Sequence, residues 1–205
     1  MAARKPIPAQ RKGVRADIIE IRIAPDLQEA KLLFLKTRER LYDISQWGDI
    51  SDGLSAEFKL TDDTGLLKKD FPVPGDYIRI DIPGPGSAAG DGYDWVKIEQ
   101  VEDKRMPETD EEWSSMTVRP AEDPVKKEGT AHFFEDSATS TFIVKRKDTI
   151  VSAQVHGRNE KPNTSAKKLA DKVRNVLVGT AAATGVSKIQ WQKLVKGLLN
   201  KNDPE

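Results

Sequence analysis

The sequence contains no cysteine. Disulfides, thiolate metal sites and a cysteine nucleophile are thereby excluded, and a reducing compartment fits, so a cytoplasmic location is expected. Histidine is almost as scarce, with only His132 and His156. A metal centre would have to lean on carboxylates, no HxH or HExxH spacing exists, and no cofactor is expected. The GxSxG pattern is missing as well, and no serine is tied by spacing to a base. No apolar run approaches the length of a transmembrane helix, so stable membrane insertion is not expected. An excess of charge is also lacking: 33 basic and 33 acidic residues give a formal net charge of +0. Without a global field to draw in a polyanion, no nucleic-acid partner is expected.

What is present points to one globular unit. A chain of 205 residues can enclose a single full core. Its 37% hydrophobic content is near the globular average, and its 32% charged content implies a strongly polar surface. Residues 1–15 carry Arg4, Lys5, Arg11, Lys12 and Arg15 without an acid, interrupted by Pro6 and Pro8. This stretch reads as a disordered basic tail, residues 16–200 as one domain, and residues 201–205 as a second disordered tail.

Hydrophobic periodicity supplies the element order. Residues 17–23, DIIEIRI, alternate with period two, which predicts a half-buried strand with Ile19, Ile21 and Ile23 inward and Glu20 and Arg22 outward. Pro25 and Asp26 then open a helix whose apolar stripe is Leu27, Ala30, Phe34, Leu41 and Ile44. The segment YDISQWGDISDG predicts a short second helix or turn around Trp47. Further strands are predicted at residues 55–61, 77–82, 95–101, 113–119, 140–145 and 150–156. The charged segments 102–112 and 120–129 read as exposed connections. From Thr164 the period becomes helical, with Leu169, Val173, Val176 and Leu177 continued by Ile189, Leu194, Val195, Leu198 and Leu199.

Strand, helix, helical turn, about six antiparallel strands and a long closing helix is an order that resembles the START-like, or SRPBCC, helix-grip superfamily. The resemblance covers about residues 16–199, and the WGDI turn at Trp47 is similar to the tryptophan-bearing turn before the second strand in such proteins. It implies an α+β fold in which a curved antiparallel sheet grips a long C-terminal helix. It also implies an apolar cavity between them, used by members of the superfamily for lipids, sterols, polyketides or other hydrophobic molecules. A minority of members are cyclases or hydrolases.

Candidate cavity residues follow from the periodicity. On the strands they are Ile78, Ile80, Val96, Ile98, Met116 and Phe142; Trp47 precedes the second strand, and Val173 and Leu177 lie on the closing helix. The glycine-rich stretch IDIPGPGSAAGDGYDW joins two strands. It reads either as a long hairpin connection or as a mobile lid anchored by Tyr93 and Trp95. A phosphate loop is not expected, because the chain returns to a strand and offers Asp91 and Asp94 instead of lysine. His156, Arg158 and Asn159 in VHGRN read as turn and cap chemistry or as a polar pocket entrance or acid-base group. The small-residue run 179–185 leaves room for a ligand or permits close helix packing.

The leading expectation is a protein that binds a small hydrophobic molecule, lipid-like or polycyclic and uncharged or weakly acidic, between sheet and helix. One alternative is a cyclase- or hydrolase-type enzyme using His156, Arg158 or Tyr93 in the same pocket. The other is a protein-interaction module with a filled core and an exposed apolar patch.

Overall fold

The computed structural model of the chain describes residues 6–51, 56–82, 87–164 and 186–200. Strand β1 spans Val14–Ile23, and Asp26 then caps helix α1, Leu27–Tyr42, by accepting the Glu29 N–H at 2.9 Å. A 3-10 turn, Ile44–Gln46, runs into the one-turn helix α2, Trp47–Ile50. Six strands follow: β2 (Glu57–Thr61), β3 (Tyr77–Asp81), β4 (Asp94–Met106), β5 (Glu111–Pro120), β6 (Thr139–Lys147) and β7 (Ile150–Glu160). Helix α3, Val186–Leu198, closes the chain. All ladders are antiparallel, and the order across the seven-stranded sheet is β1-β7-β6-β5-β4-β3-β2.

One face of this sheet carries the core. Ile78, Val96, Ile98, Met116, Val118, Phe142, Val144, Val151, Ala153 and Val155 are buried there together with Ala30, Phe34 and Leu41 of α1 and Leu194, Val195 and Leu198 of α3. Each fully buried aliphatic side chain contributes roughly 1.5–3 kcal/mol, so this face dominates stability. Trp47 locks α2 to it. The indole N–H is shared between the Arg40 and Leu41 carbonyls at 3.2 Å, while the ring tilts against Phe142 at 4.8 Å and Phe58 at 5.5 Å. Helix α3 crosses α2 closely enough that a Cβ on Gly197 would collide with the Ile50 carbonyl.

Several expectations change in the structure. Alternation in β1 is present with the opposite phase: Ile18 is buried, while Ile19, Ile21 and Ile23 are 51%, 60% and 73% exposed. Arg22 faces α3 instead, donating to the Leu199 carbonyl at 2.6 Å, and so satisfies an orphan acceptor at the helix end. Leu27 and Ile189, assigned to helical stripes, are also exposed. Residues 102–112 belong largely to β4 and β5, because their charges pair across strands and helices. Arg38 of α1 forms a bidentate pair with Asp103 at 2.9 Å, and Arg146 bridges Asp110 and Glu112. At the N-terminus, Val14 and Arg15 are already in β1, and residues 9–12 hold Asn159. The Asn159 side chain accepts from the Arg11 and Lys12 N–H groups at 2.7 and 3.2 Å and donates to the Ala9 carbonyl at 3.2 Å.

Candidate functional site

Between the core face of the sheet and α3 lies a cavity of about 70 Å³. Trp47, Phe58, Ile78, Ile80 and Val96 form one side, Val118 and Phe142 the floor, and Trp191 of α3 the roof, with its ring edge-on to Phe142 at 5.4 Å. The β5–β6 connection adds Phe133, stacked on His132 with ring centroids 4.2 Å apart, and Phe134, tilted against both rings. Four polar residues complete the described lining: His132 from the same connection, Ser140 of β6, Glu160 of β7 and Gln190 of α3. The His132 Nδ1 accepts the Phe134 N–H at 2.9 Å, which in the neutral ring leaves Nε2 as the N–H donor.

Glu160 reaches this wall through a bulge. In the β1–β7 ladder Ala16 pairs with Gly157 and Val14 with Glu160, so β7 holds one residue more than β1 between the two pairs. Asn159 absorbs the extra residue with φ 57°, a left-handed value that asparagine tolerates better than most residues. The bulge shifts the strand's alternation by one position and puts Glu160 on the cavity face with Val155 and Gly157. The carboxyl lies over Gly157, where any Cβ would collide with it. Glu160 is 4% exposed, and among the described residues no donor reaches its carboxylate. Burial pushes its pKa up to about 7, against a smaller opposing pull from the charge of Arg158.

Five of the residues singled out from sequence, Trp47, Ile78, Ile80, Val96 and Phe142, come together at this cavity. Ile98 and Met116 are fully buried in the surrounding core without lining it. Val173 and Leu177 lie outside the described residues, as does the small-residue run 179–185. Tyr93 and Trp95 sit elsewhere, in a separate cluster with Ala89 and Ala131. Trp95 donates to the Gly90 carbonyl at 3.2 Å, and the Arg79 guanidinium lies 4.4 Å from the Tyr93 ring centre. The described part of the glycine-rich connection, residues 87–92, is therefore tied to that cluster, and residues 83–86 lie outside the described residues.

His156 and Arg158 also project away from the cavity. Both bind Asp17 Oδ1, at 2.6 and 2.7 Å, and Arg158 donates in addition to the Ala16 and Gly157 carbonyls. Burial alone would raise the Asp17 carboxyl. Hydrogen bonds from His156, Arg158 and Arg15 outweigh that effect and hold it at about 2. This trio staples β1 to β7. Alternation places it opposite Val155, on the face that also displays Ile19 and Ile21.

Sequence reading passed over Glu160, Ser140, Gln190 and Trp191, and it named none of His132, Phe133 and Phe134 as a cavity residue. The one available signal was Asn159, a residue type that favours positive φ, three positions before a proline. A larger concavity of about 680 Å³ runs between Tyr42, Ile44 and Leu60 and residues 67–71, but its rim is Lys68, Lys69, Asp70 and an exposed Phe71. An open trough edged by charged side chains lacks the convergence of buried polar groups that marks a binding site.

No protein-family model matches the chain, and no curated protein sequence matches it. Among solved structures, it is similar to major latex-like protein 151 from Panax ginseng at 14% identity, over 82% of this chain and 95% of that one, with a TM-score of 0.34. Truncated norcoclaurine synthase from Thalictrum flavum is 13% identical over 96% and 100% of the two chains, with a TM-score of 0.38. A protein from Mesorhizobium loti is 17% identical over 92% and 99%, with a TM-score of 0.40. Independently of these likenesses, the strand order, the uniform antiparallel pairing and the closing helix on the core face define the architecture as a START-like helix grip. No helix among the described residues is long and apolar enough to cross a membrane.

Proposed function

We propose that the protein binds a small apolar molecule between the core face of its sheet and α3. The observation that carries this reading is a cavity lined mainly by aromatic and aliphatic side chains, with only His132, Ser140, Glu160 and Gln190 as polar residues among its described lining. Its volume of about 70 Å³ favours a small occupant. Drug-sized sites run to roughly 300–1,000 Å³, and a cavity that accepts benzene is about 150 Å³. A single ring fits after modest movement of Trp191 and Phe133, which are only partly buried, whereas a lipid-like or polycyclic ligand requires α3 to move off the sheet. Nuclear magnetic resonance titration with toluene tests this. Saturable shifts at Val118, Phe142 and Trp191 are expected, and shifts absent from all three would reject it.

The enzyme alternative loses its original candidates to other parts of the molecule, but a buried carboxyl with pKa near neutrality supports a form of it centred on Glu160 and His132. The interaction alternative draws support from the outward row Ile19, Ile21 and Ile23 on the edge strand β1, beside Ile150. Sedimentation of the wild type and an Ile21→Lys variant examines it: a dimer abolished by the substitution would favour that reading.

A further inference from the structure

We propose that Glu160 is the recognition group of the cavity and selects an apolar ligand bearing a hydrogen-bond donor, a protonated amine above all. This rests on the binding reading above and names the chemistry of its polar end. Carboxylates are rarely buried without partners, because the lost hydration must be replaced. At Glu160 the replacement is missing among the described residues, although the fold goes to some length to present the group. A bulge turns it inward, Asn159 takes a left-handed conformation to make the bulge, residues 9–12 hold that asparagine, and Gly157 leaves the space the carboxyl occupies. A glutamate serving only as strand filler would face solvent and require none of this.

The surroundings define the complementary ligand. His132 comes from the β5–β6 connection, Ser140 from β6 and Gln190 from α3, so among the described residues the only formal negative charge in the wall belongs to Glu160. Arg158, on the same strand, is directed to Asp17 and to backbone carbonyls. Within the cavity the carboxyl is therefore the strongest acceptor, and a cationic donor beside it makes a charge-assisted hydrogen bond that water does not screen. The raised pKa agrees with an ionised form that lacks compensation until such a donor arrives. Sequence alone pointed to an uncharged or weakly acidic ligand. A ligand carboxylate would instead meet Glu160 as a like charge.

Toluene, benzylamine and benzoate share one ring and differ only at the polar end, so their affinities at pH 8 separate the two claims. Wild type is expected to bind benzylamine at least tenfold tighter than toluene and benzoate more weakly than toluene. Glu160→Gln should lose at least tenfold for benzylamine, and with it the preference for benzylamine over toluene. Should this variant fail to fold, the Glu160 side-chain carbonyl carbon of the wild type, labelled with carbon-13, is expected to shift on adding benzylamine and to stay put with toluene. Toluene binding without any preference for benzylamine, or a preference retained in Glu160→Gln, overturns the role of Glu160 and leaves the cavity reading intact. Failure of all three molecules to bind overturns both.

Discussion

Gly157 and Glu160 lie on the same face of the sheet although they are three residues apart on one strand, because the bulge at Asn159 shifts the alternation between them. The carboxyl of Glu160 rests where a Gly157 side chain would stand. Substituting Gly157→Ala should therefore expel the carboxyl or strain β7, at a cost of about 1–3 kcal/mol typical of overpacking. Thermal unfolding measures the cost, and an unchanged melting temperature would mean that the carboxyl has somewhere else to go.

The raised pKa of Glu160 makes stability depend on pH in a definite direction. Its folded value of about 7 exceeds the ordinary glutamate value of 4.5, so between these values the folded state holds the proton more tightly. Its stabilising effect is complete below pH 4.5 and is lost as pH rises through 7, a change on the order of 3 kcal/mol. Urea unfolding from pH 4 to 8 should show this decline in the wild type and its absence in Glu160→Gln. Parallel profiles for the two proteins would contradict the assignment.

Asp17 behaves in the reverse sense on the opposite face. Its folded pKa of about 2 lies below the ordinary aspartate value of 3.8, so the stabilisation it provides is present above pH 3.8 and is lost as pH falls through 2. Asp17→Asn should cost about 1–2 kcal/mol at neutral pH, since a partly exposed charge-assisted pair is worth less than a buried one. The same variant should leave toluene affinity unchanged, which the titration reads directly.

Gly197→Ala should push α3 away from Ile50. The expected result is a loss of about 1–3 kcal/mol with altered fluorescence of Trp191, the cavity residue carried by that helix. A variant as stable as the wild type would show that the α2–α3 crossing is looser than described.

Most strands were legible because their alternation is a property of local sequence. Ile78, Val96 and Phe142 could be placed inward from their neighbours alone, and antiparallel pairing followed from short connections. The phase of β1 was not legible, since Ile18, Ile19, Ile21 and Ile23 offer two apolar registers and only the packing of Arg22 on the end of α3 selects between them. Glu160 was hidden for a related reason. Periodicity ended β7 at His156, whereas the ladder continues through a bulge fixed by Asn159 and residues 9–12, contacts nearly 150 positions apart in the chain. The same extension carried His156 and Arg158, which looked like pocket-entrance groups, to Asp17 on the far face.

The most direct test of the account is a crystal structure of the protein soaked in iodobenzene, with the iodine located by its anomalous signal. The account predicts iodine between Val118, Phe142 and Trp191, with the Trp191 ring displaced from its edge-on contact with Phe142. Iodine confined to the groove at residues 67–71 or to the Ile19–Ile21–Ile23 row, with the space beneath α3 empty, would contradict it.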